Sequence, residues 1–305
     1  MPVRRNIVTN AAARQSYVRG AIALKNEFTG VTTQMLGIPG PSRQVSTWDR
    51  FVAWHSAAMG IAHRGPLFLP WHRLMLRTLE ILLGRALNDP NFGLPYWDWA
   101  ADGQLTRPQQ LAAALWNNNC MGSASVAPGP FTLAAFPIRL ADGGSGNIVQ
   151  ANRALRRARG SGVPQIPNPD LPRRVSTAAI LHASMNRYDV SPWSINSAAG
   201  MRNRLEGWFP SNDLHNRVHI WVGGDMLPST SPNDPVFYLN HCNVDRIWER
   251  WMQLRGRQYQ PTNNTAGAPV GQRLNDPIPT PFGPSVTAAN LLNMTATYTY
   301  DSLAV

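Results

Sequence analysis

Six of the seven histidines in this chain of 305 residues fall into two groups of three, each within or beside a pair of segments with helical patterns. The two groups are His55, His63 and His72, and then His215, His219 and His241. His215 and His219 are four residues apart, which places both imidazoles on one face of a helix, a spacing that suits two ligands of one metal ion. Each group therefore offers three imidazoles to a metal.

The types of residue at ligand spacing narrow the choice of metal. Di-iron and di-manganese bundles need glutamates and Glu-x-x-His pairs, and no glutamate of this chain lies three residues before a histidine. The glutamates are Glu27, Glu80, Glu206 and Glu249. Imidazole-only ligation suits copper, zinc or nickel, and zinc sites of the carbonic anhydrase type use one triplet rather than two. Two equivalent neutral triplets favour a dicopper centre.

The first histidine group lies in a predicted helical hairpin. Apolar residues recur at helical spacing over 45–60, with Thr47 or Asp49 as the candidate cap. A second apolar stripe starts at Pro70, since proline is tolerated in a first helical turn, and ends before Asn88. We therefore expect two helices joined by a short connection.

The second histidine group lies in another pair of predicted helices. One runs from about Ser211 or Asp213 to the glycines at 223–224, which favour a helix end. The other begins with Asp234 as its cap, followed by a proline, and continues to about Arg255. These four helices would form the core that positions the six histidines.

The rest of the chain has weaker patterns. Residues 101–175 are rich in Gly, Pro, Ser and Asn, which indicates a long irregular excursion. Because loops of this length are unusual within one domain, the alternatives are that it hides short helices, such as one over 148–158, or that it marks a functional rim. Helical patterns return at 175–187 and 198–208, and we interpret His182 in the first of these as structural. The expected fold is mainly α, a single domain with a four-helix core that holds the dicopper site, and long irregular loops.

The chain is strongly basic, with 28 Lys and Arg residues, 17 Asp and Glu residues and a net charge of +11. This charge makes nucleic acid a candidate partner. The basic residues are dispersed, however, and their densest cluster, RALRRARG at 153–160, belongs to no recognisable nucleic-acid-binding motif. We interpret this cluster as a solvated basic face and expect no nucleic-acid partner, while an acidic partner protein stays open.

Cysteine content and hydropathy exclude two further classes. Cys120 and Cys242 are too few for a disulfide framework, and no apolar run reaches the roughly 18 residues that a membrane helix needs. The N-terminal segment also lacks the apolar stretch of a signal peptide. We therefore expect no membrane segment and no signal peptide, and a protein that is cytoplasmic or is exported with a partner protein.

Several motifs resemble the type 3 copper proteins, and among them the compact bacterial tyrosinases. The matching segments are HRGPLFLPWHR at 63–73, LPYWDW at 94–99, LHNRVHIWVGG at 214–224, SPNDPVFYLNHCNVDRIWERW at 231–251 and YTYDSL at 298–303. The first is similar to the CuA motif of the family, and the third and fourth are similar to its CuB motif. The resemblance implies one tyrosinase-like copper-binding domain over 1–305, with a CuA region at about 45–90 and a CuB region at about 205–255.

The resemblance also implies a ligand set and its surroundings. One copper ion would be bound by His55, His63 and His72, and the other by His215, His219 and His241. Dioxygen would bind between the two ions, beside a phenolic substrate. Phe68 and Phe237 would pack against the ligands, fix their rings and exclude water, and Ile220 would line the substrate pocket.

A tyrosinase hydroxylates monophenols at the ortho position and oxidises o-diphenols to o-quinones, and the resemblance implies this activity here. A phenol has an unperturbed pKa of about 10, so its hydroxylation near neutral pH requires a proton acceptor. In bacterial tyrosinases, the Glu and Asn that match Glu206 and Asn216 hold a water proposed as this base. The resemblance therefore assigns catalytic roles to Glu206 and Asn216.

Two other functions stay open. Many tyrosinases have a second histidine immediately before the last ligand, whereas this chain has Asn240 there. Asn240 can donate a hydrogen bond beside the ligands but does not titrate near neutral pH, which favours a catechol oxidase or an o-aminophenol oxidase. An oxygen-binding carrier would use the same six ligands, but the small chain with no extra domain over the site disfavours it.

Three features concern maturation of the site. Ile61 occupies the position two before His63, so the Cys–His thioether of fungal tyrosinases and haemocyanins cannot form there. We expect Cys242, next to His241, to be a small buried residue rather than a ligand. We expect no shielding domain after YTYDSL, and the resemblance implies a separate caddie-type copper-delivery protein as a partner.

Overall fold

A computed structural model describes residues 1–123, 129–144, 146–210 and 212–305 of the chain. The helices are α1 (Ala11–Lys25), α2 (Thr47–Ala62), α3 (Phe68–Ala86), α4 (Trp99–Asp102), α5 (Arg107–Leu111), α6 (Arg174–Leu181), α7 (Met201–Glu206), α8 (Leu214–Val222), α9 (Val236–Arg255) and α10 (Ala288–Leu291). The strands are β1 (Val3–Arg4), β2 (Phe28–Thr32), β3 (Gln44–Ser46), β4 (Ile138–Asp142), β5 (Ile148–Arg153), β6 (Gly162–Val163), β7 (Ile166–Pro167), β8 (Pro277–Ile278), β9 (Val286–Thr287) and β10 (Thr299–Tyr300). They form five two-stranded sheets, of which β1–β10 is parallel and the others antiparallel.

Four helices, α2, α3, α8 and α9, form the centre of the molecule. The prediction of a mainly α single domain is confirmed. Helix α3 packs against α9 and α2, α8 packs against α9, and α1 covers α2 and α3. Nearly every residue of α9 is buried, polar ones included, which makes it the central helix. Among the described residues no helix is long and apolar enough to cross a membrane.

The structure corrects two predicted helix caps. Thr47 and Asp49 do not cap α2; Ser46 does, because its Oγ accepts the Asp49 N–H at 3.1 Å. The Asp49 carboxylate is instead buried against the Lys25 ammonium, 2.5 Å away. Helix α9 begins at Val236, so Pro235 occupies the cap position that we predicted for Asp234, although Asp234 Oδ1 does accept the Val236 N–H at 2.9 Å. Ser211, a candidate cap of α8, lies outside the described residues.

The prediction of a short helix over 148–158 is wrong. Residues Ile148–Arg153 form β5, which pairs with β4, so this part of the irregular excursion is a hairpin. Gly144 and Gly146 both have positive φ, at 86° and 79°, in the connection between the strands. Glycine adopts this conformation without steric cost, and Ile148 and Val149, which follow, are β-branched residues that favour a strand.

The helical patterns at 175–187 and 198–208 correspond to the shorter helices α6 and α7. His182 therefore lies just beyond α6, not within a helix as predicted. Its side chain is exposed, and its Nδ1 contacts Ser184 Oγ at 2.9 Å.

Arg157, within the basic cluster at 153–160, is buried, so the interpretation of that cluster as a solvated face is wrong in part, and arginines elsewhere in the chain are buried as well. Arg4 and Arg73 are both 0% exposed. The Arg4 guanidinium contacts Glu80 at 2.9 Å and Asp245 at 3.0 Å, and Arg73 contacts Asp245 at 2.6 Å. This buried network joins β1 to α3 and α9, and β10 completes it, because the Tyr300 hydroxyl donates to Asp245 Oδ2 at 2.6 Å.

We expect Asp245→Ala to lower the free energy of unfolding by about 3–5 kcal/mol, because it leaves two buried guanidinium groups without a shared partner. Asp170→Ala is the matched control, since Asp170 pairs with Arg173 at the surface and the change should cost less than about 1 kcal/mol. Urea unfolding of both variants measures the difference. Equal losses would show that the buried network contributes no more than a surface pair.

Candidate metal centre

The four central helices bring the six predicted histidines together as two triads. His55 lies in α2, His63 ends that helix, and His72 lies in α3; we name these three the first triad. The second triad consists of His215 and His219 of α8 and His241 of α9. Within each triad, one nitrogen from every ring lies within 4.8 Å of the others, a separation that one metal ion can bridge.

The two triads lie next to each other. The rings of His72 and His241 stack with centroids 4.0 Å apart and an interplanar angle of 13°, and the His63 and His215 centroids are 6.0 Å apart. The middle histidine of each triad, His63 or His219, is partly exposed, while the other four are buried. Solvent therefore reaches the triads mainly at His63 and His219.

Backbone oxygens fix the orientation of four of these rings through Nδ1. The contacts are His55 to Ser229 O at 2.6 Å, His72 to Phe68 O at 2.7 Å, His215 to Glu206 O at 3.1 Å, and His219 to Met226 O at 2.6 Å. A carbonyl oxygen only accepts hydrogen bonds, so each Nδ1 must carry the proton. Each Nε2 is left with a lone pair that faces the pocket.

The surroundings of these Nε2 atoms show whether the two triads fit metal ions. In the described part of the chain, Nε2 of His72 and Nε2 of His219 are buried without a hydrogen-bond partner. Nε2 of His55 lies 3.0 Å from Nε2 of His63, and Nε2 of His215 lies 3.1 Å from Nε2 of His241. A buried polar atom without a partner costs about 1–3 kcal/mol, and a cation would satisfy all of them. Because no triad contains a carboxylate, the residues fit imidazole-preferring metals, among them copper.

Burial keeps the ligands neutral. Desolvation, together with the neighbouring imidazoles, places the pKa of His55, His72, His215 and His241 well below the ordinary value. Desolvation also lowers the pKa of His219, to about 4. Neutral imidazole is the form that binds metal, so these rings are ready for ligation at neutral pH.

We expect the metal-free protein to lose stability as the pH falls from about 6.5 toward 4, because unfolded histidines take up protons there and the buried ones do not. At His219 alone, the difference between a pKa of about 4 and one of about 6.5 corresponds to about 3 kcal/mol. Urea unfolding of metal-stripped protein at pH 7 and pH 5 checks this expectation. The exposed His182 supplies the control, since His182→Gln should keep the full pH dependence; an unchanged midpoint in the unsubstituted protein would contradict it.

Glu206 is placed beside the first triad and is tightly held. Its Oε1 accepts the Arg64 N–H at 2.7 Å and lies 3.5 Å from His63 Nδ1, and its Oε2 accepts from the Arg202 guanidinium at 3.1 Å. Burial opposes ionisation of Glu206, but the interaction with His63 and the charge of Arg202 outweigh it and lower the pKa of the carboxyl. Arg202 also pairs with Asp189 at 2.8 Å, which anchors the group.

Two asparagines lie next to ligands. Asn216 Oδ1 contacts His215 Nδ1 at 3.0 Å, and Asn216 Nδ2 is buried without a partner among the described residues. Asn240 is 0% exposed, and neither its side-chain oxygen nor its nitrogen has a partner in the described ranges. The remaining polar group beside a ligand, the Cys242 thiol, is buried as predicted and contacts Leu94 O at 3.3 Å.

Apolar residues border both triads. The Phe68 ring centroid lies 4.8 Å from that of His215 and 5.0 Å from that of His72. The Phe237 centroid lies 4.2 Å from that of His241 and 4.9 Å from that of His55. Each phenyl ring therefore contacts at least one ligand of the first triad and at least one of the second. Ile220 is half-buried on α8 and directly follows His219 in the chain.

Sequence reasoning missed the groups that orient the rings. The carbonyls of Ser229 and Met226 belong to a loop without a motif, and no sequence signal reveals where a carbonyl points. Arg202 did have a signal, because it lies four residues before Glu206 on a helical pattern and such pairs are neighbours on a helix.

Comparison with known proteins identifies the family. Residues 45–254 match the common central domain of tyrosinase. A tyrosinase from Streptomyces glaucescens is 39% identical over 275 residues, which cover 84% of this chain and 89% of that protein. Grixazone synthase from Streptomyces griseus is 33% identical over 83% of this chain and 90% of its own length. A variant of the polyphenol oxidase from Thermothelomyces thermophila has the same fold, with a TM-score of 0.75 at 20% identity over 99% of this chain and 89% of that one.

The family match spans both triads and the helices that carry them, and the Streptomyces tyrosinase aligns along most of both chains. Two triads that consist of imidazoles alone, with no carboxylate among the three side chains of either triad, agree with the chemistry of that family. This chain belongs to the tyrosinase family and is a type 3 copper phenol oxidase.

Proposed function

We propose that the first and second triads each bind one copper ion, and that the chain uses dioxygen both to hydroxylate monophenols at the ortho position and to oxidise o-diphenols to o-quinones. The bound copper ions would supply dioxygen activation and accept the electrons of the phenol. One monophenol and one O₂ give one o-quinone and one water, whereas two o-diphenols and one O₂ give two o-quinones and two waters. The observation that carries the proposal is the convergence of buried Nε2 lone pairs from both triads.

The partial exposure of His63 and His219 supports entry of a flat aromatic substrate. In this proposal a phenol would approach the triads where these two histidines reach solvent, and the half-buried Ile220 would line its path. Phe68 and Phe237 pack against ligands of both triads, which would hold the ligand rings and exclude water. The protein thus orients the substrate ring mainly by apolar contacts, since the described ligands offer no carboxylate to it.

Glu206 and Asn216 hold the water that takes the phenol proton in this proposal. Both approach the same atom, His215 Nδ1, Glu206 through its backbone oxygen and Asn216 through Oδ1. The buried Asn216 Nδ2 lacks a partner among the described residues, and in this proposal a water would accept from it and donate to the ionised Glu206 carboxylate. This water would be a hydrogen-bonded base beside the substrate entry.

A second candidate function uses the same metal centre but does not include the hydroxylation of monophenols. Asn240 is fully buried at the position before His241 and cannot exchange a proton near neutral pH. This observation favours a catechol oxidase or an o-aminophenol oxidase that lacks efficient monophenol hydroxylation. In both cases a caddie-type protein would deliver copper, because four of the six ligands are buried in the folded chain.

Copper content and parallel turnover test the proposal. We expect two copper ions per chain after loading, with tyrosine and catechol converted to o-quinones in oxygen-saturated buffer. Oxidation of catechol or o-aminophenol without tyrosine would replace the leading proposal with the second candidate. Reversible oxygen uptake without turnover of any of the three would identify an oxygen carrier, and failure to bind copper would reject all of these functions.

A further inference from the structure

One loop holds a ligand from each triad. Residues 223–230, which we name the ligand loop, directly follow α8 and form the first part of its connection to α9. Met226 O in this loop accepts from His219 Nδ1 at 2.6 Å, and Ser229 O accepts from His55 Nδ1 at 2.6 Å. The Ser229 hydroxyl also contacts Ser56 Oγ at 2.8 Å. A shift of the ligand loop would therefore turn one imidazole of either triad.

The ligand loop is attached to the basic cluster at 153–160. Arg153 donates to both oxygens of Asp225, Nη2 to Oδ1 at 2.5 Å and Nη1 to Oδ2 at 2.8 Å. The Arg156 N–H donates to Asp225 Oδ2 at 2.8 Å, and the Asp225 N–H donates to Arg156 O at 2.8 Å. Asp225 directly precedes Met226, so the salt bridge lies one residue from the carbonyl that orients His219.

The two segments touch so closely that a side chain would not fit between them. Gly224 has φ of 56°, and a Cβ at this position would lie 2.3 Å from Arg156 O. The Ala158 N–H donates to Val222 O at 2.9 Å, just before the ligand loop. Four residues beyond the loop, just before α9, Arg157 forms a two-pronged salt bridge with Asp234 at 2.6 and 2.7 Å. The cluster is thus attached both to the start of the ligand loop and to the segment that follows it.

From these contacts we infer that Arg153 is a positioning residue for both copper ions: through Asp225 it fixes the ligand loop whose carbonyls orient His55 and His219. The inference rests on the proposed function for the copper ions. A planar guanidinium that donates twice to one carboxylate fixes direction as well as distance, which a lysine cannot reproduce. The side chain of Arg153 is 25% exposed, so it can be replaced without opening the core.

Copper retention tests the inference. We expect Arg153→Ala to weaken copper binding by about tenfold in competition with a chelator, the lower end of the effect known for groups that orient metal ligands. Both ions should weaken together, because the loop serves both triads. Arg153→Lys should restore part of the affinity. The matched control is Arg159→Ala, since the half-buried Arg159 side chain donates to Leu111 O and does not contact the ligand loop.

Hydrogen exchange of metal-free protein provides a readout that does not require copper. The amides of residues 225–230 should exchange faster in Arg153→Ala than in the unsubstituted protein or in Arg159→Ala, with those of α1 unchanged. If Arg153→Ala fails to fold, Asp225→Asn replaces it, because it keeps the side-chain size and removes the charge.

Unchanged exchange and copper retention in Arg153→Ala would overturn the inference, as would weakening of one ion alone or equal losses in Arg159→Ala. Failure of the unsubstituted protein to bind two copper ions would instead reject the proposed function. In that case the exchange rates still decide whether Arg153 holds the loop.

Discussion

His219→Ala is expected to leave one copper ion per chain and to abolish oxidation of monophenols and diphenols alike. The second triad would retain His215 and His241, and two imidazoles without a third do not hold copper in competition with a chelator. His219 is the ligand of choice because it is partly exposed, so its truncation opens less buried space than loss of His215 would. Metal analysis and turnover of tyrosine and catechol measure the outcome.

His182→Ala is the control for this experiment. His182 is exposed beyond the end of α6, and it belongs to neither triad. Its replacement should leave the copper content and both activities unchanged. Two copper ions per chain in His219→Ala would remove His219 from the proposed ligand set, and full loss of both ions would show that the two sites fill cooperatively.

The two triads could be predicted because helical geometry converts sequence spacing into direction. His215 and His219 lie four residues apart in a segment with a clear cap and a clear glycine stop, so their common face follows from the helix alone. The groups that orient them do not follow from it. Ser229 O and Met226 O act through backbone carbonyls, and their positions depend on how the loop closes over the core.

The burial of charged residues also could not be predicted from local sequence. Arg157 pairs with Asp234, a residue 77 positions away, and no local pattern connects the two. The basic cluster therefore has the composition of a solvated face although part of it is buried. The strand at Ile148–Arg153 was missed for a related reason, since β-branched residues among polar ones fit a half-buried strand, and only pairing with β4 decides between strand and helix.

Glu206→Gln is expected to lower the turnover of tyrosine by about 10² to 10⁴-fold, the usual contribution of a positioned base. Turnover of catechol should fall by less than about tenfold, because an o-diphenol loses its protons more readily and needs no hydroxylation. Glutamine keeps the size of the side chain and an oxygen that can accept the Arg64 N–H. Glu27→Gln, at a glutamate that pairs with Arg85 near the surface, is the control and should change neither activity.

The contacts of Glu206 make the ratio of the two activities more informative than either alone. Its carboxylate lies 3.5 Å from His63 Nδ1 and also anchors the Arg64 N–H, so loss of its charge can turn a copper ligand as well as remove a base. Turning His63 would impair both substrates and lower the copper content of the first triad. Losing only the base would spare the copper and catechol oxidation. Equal losses on both substrates would therefore assign Glu206 to the positioning of His63 and leave the phenol proton to another acceptor.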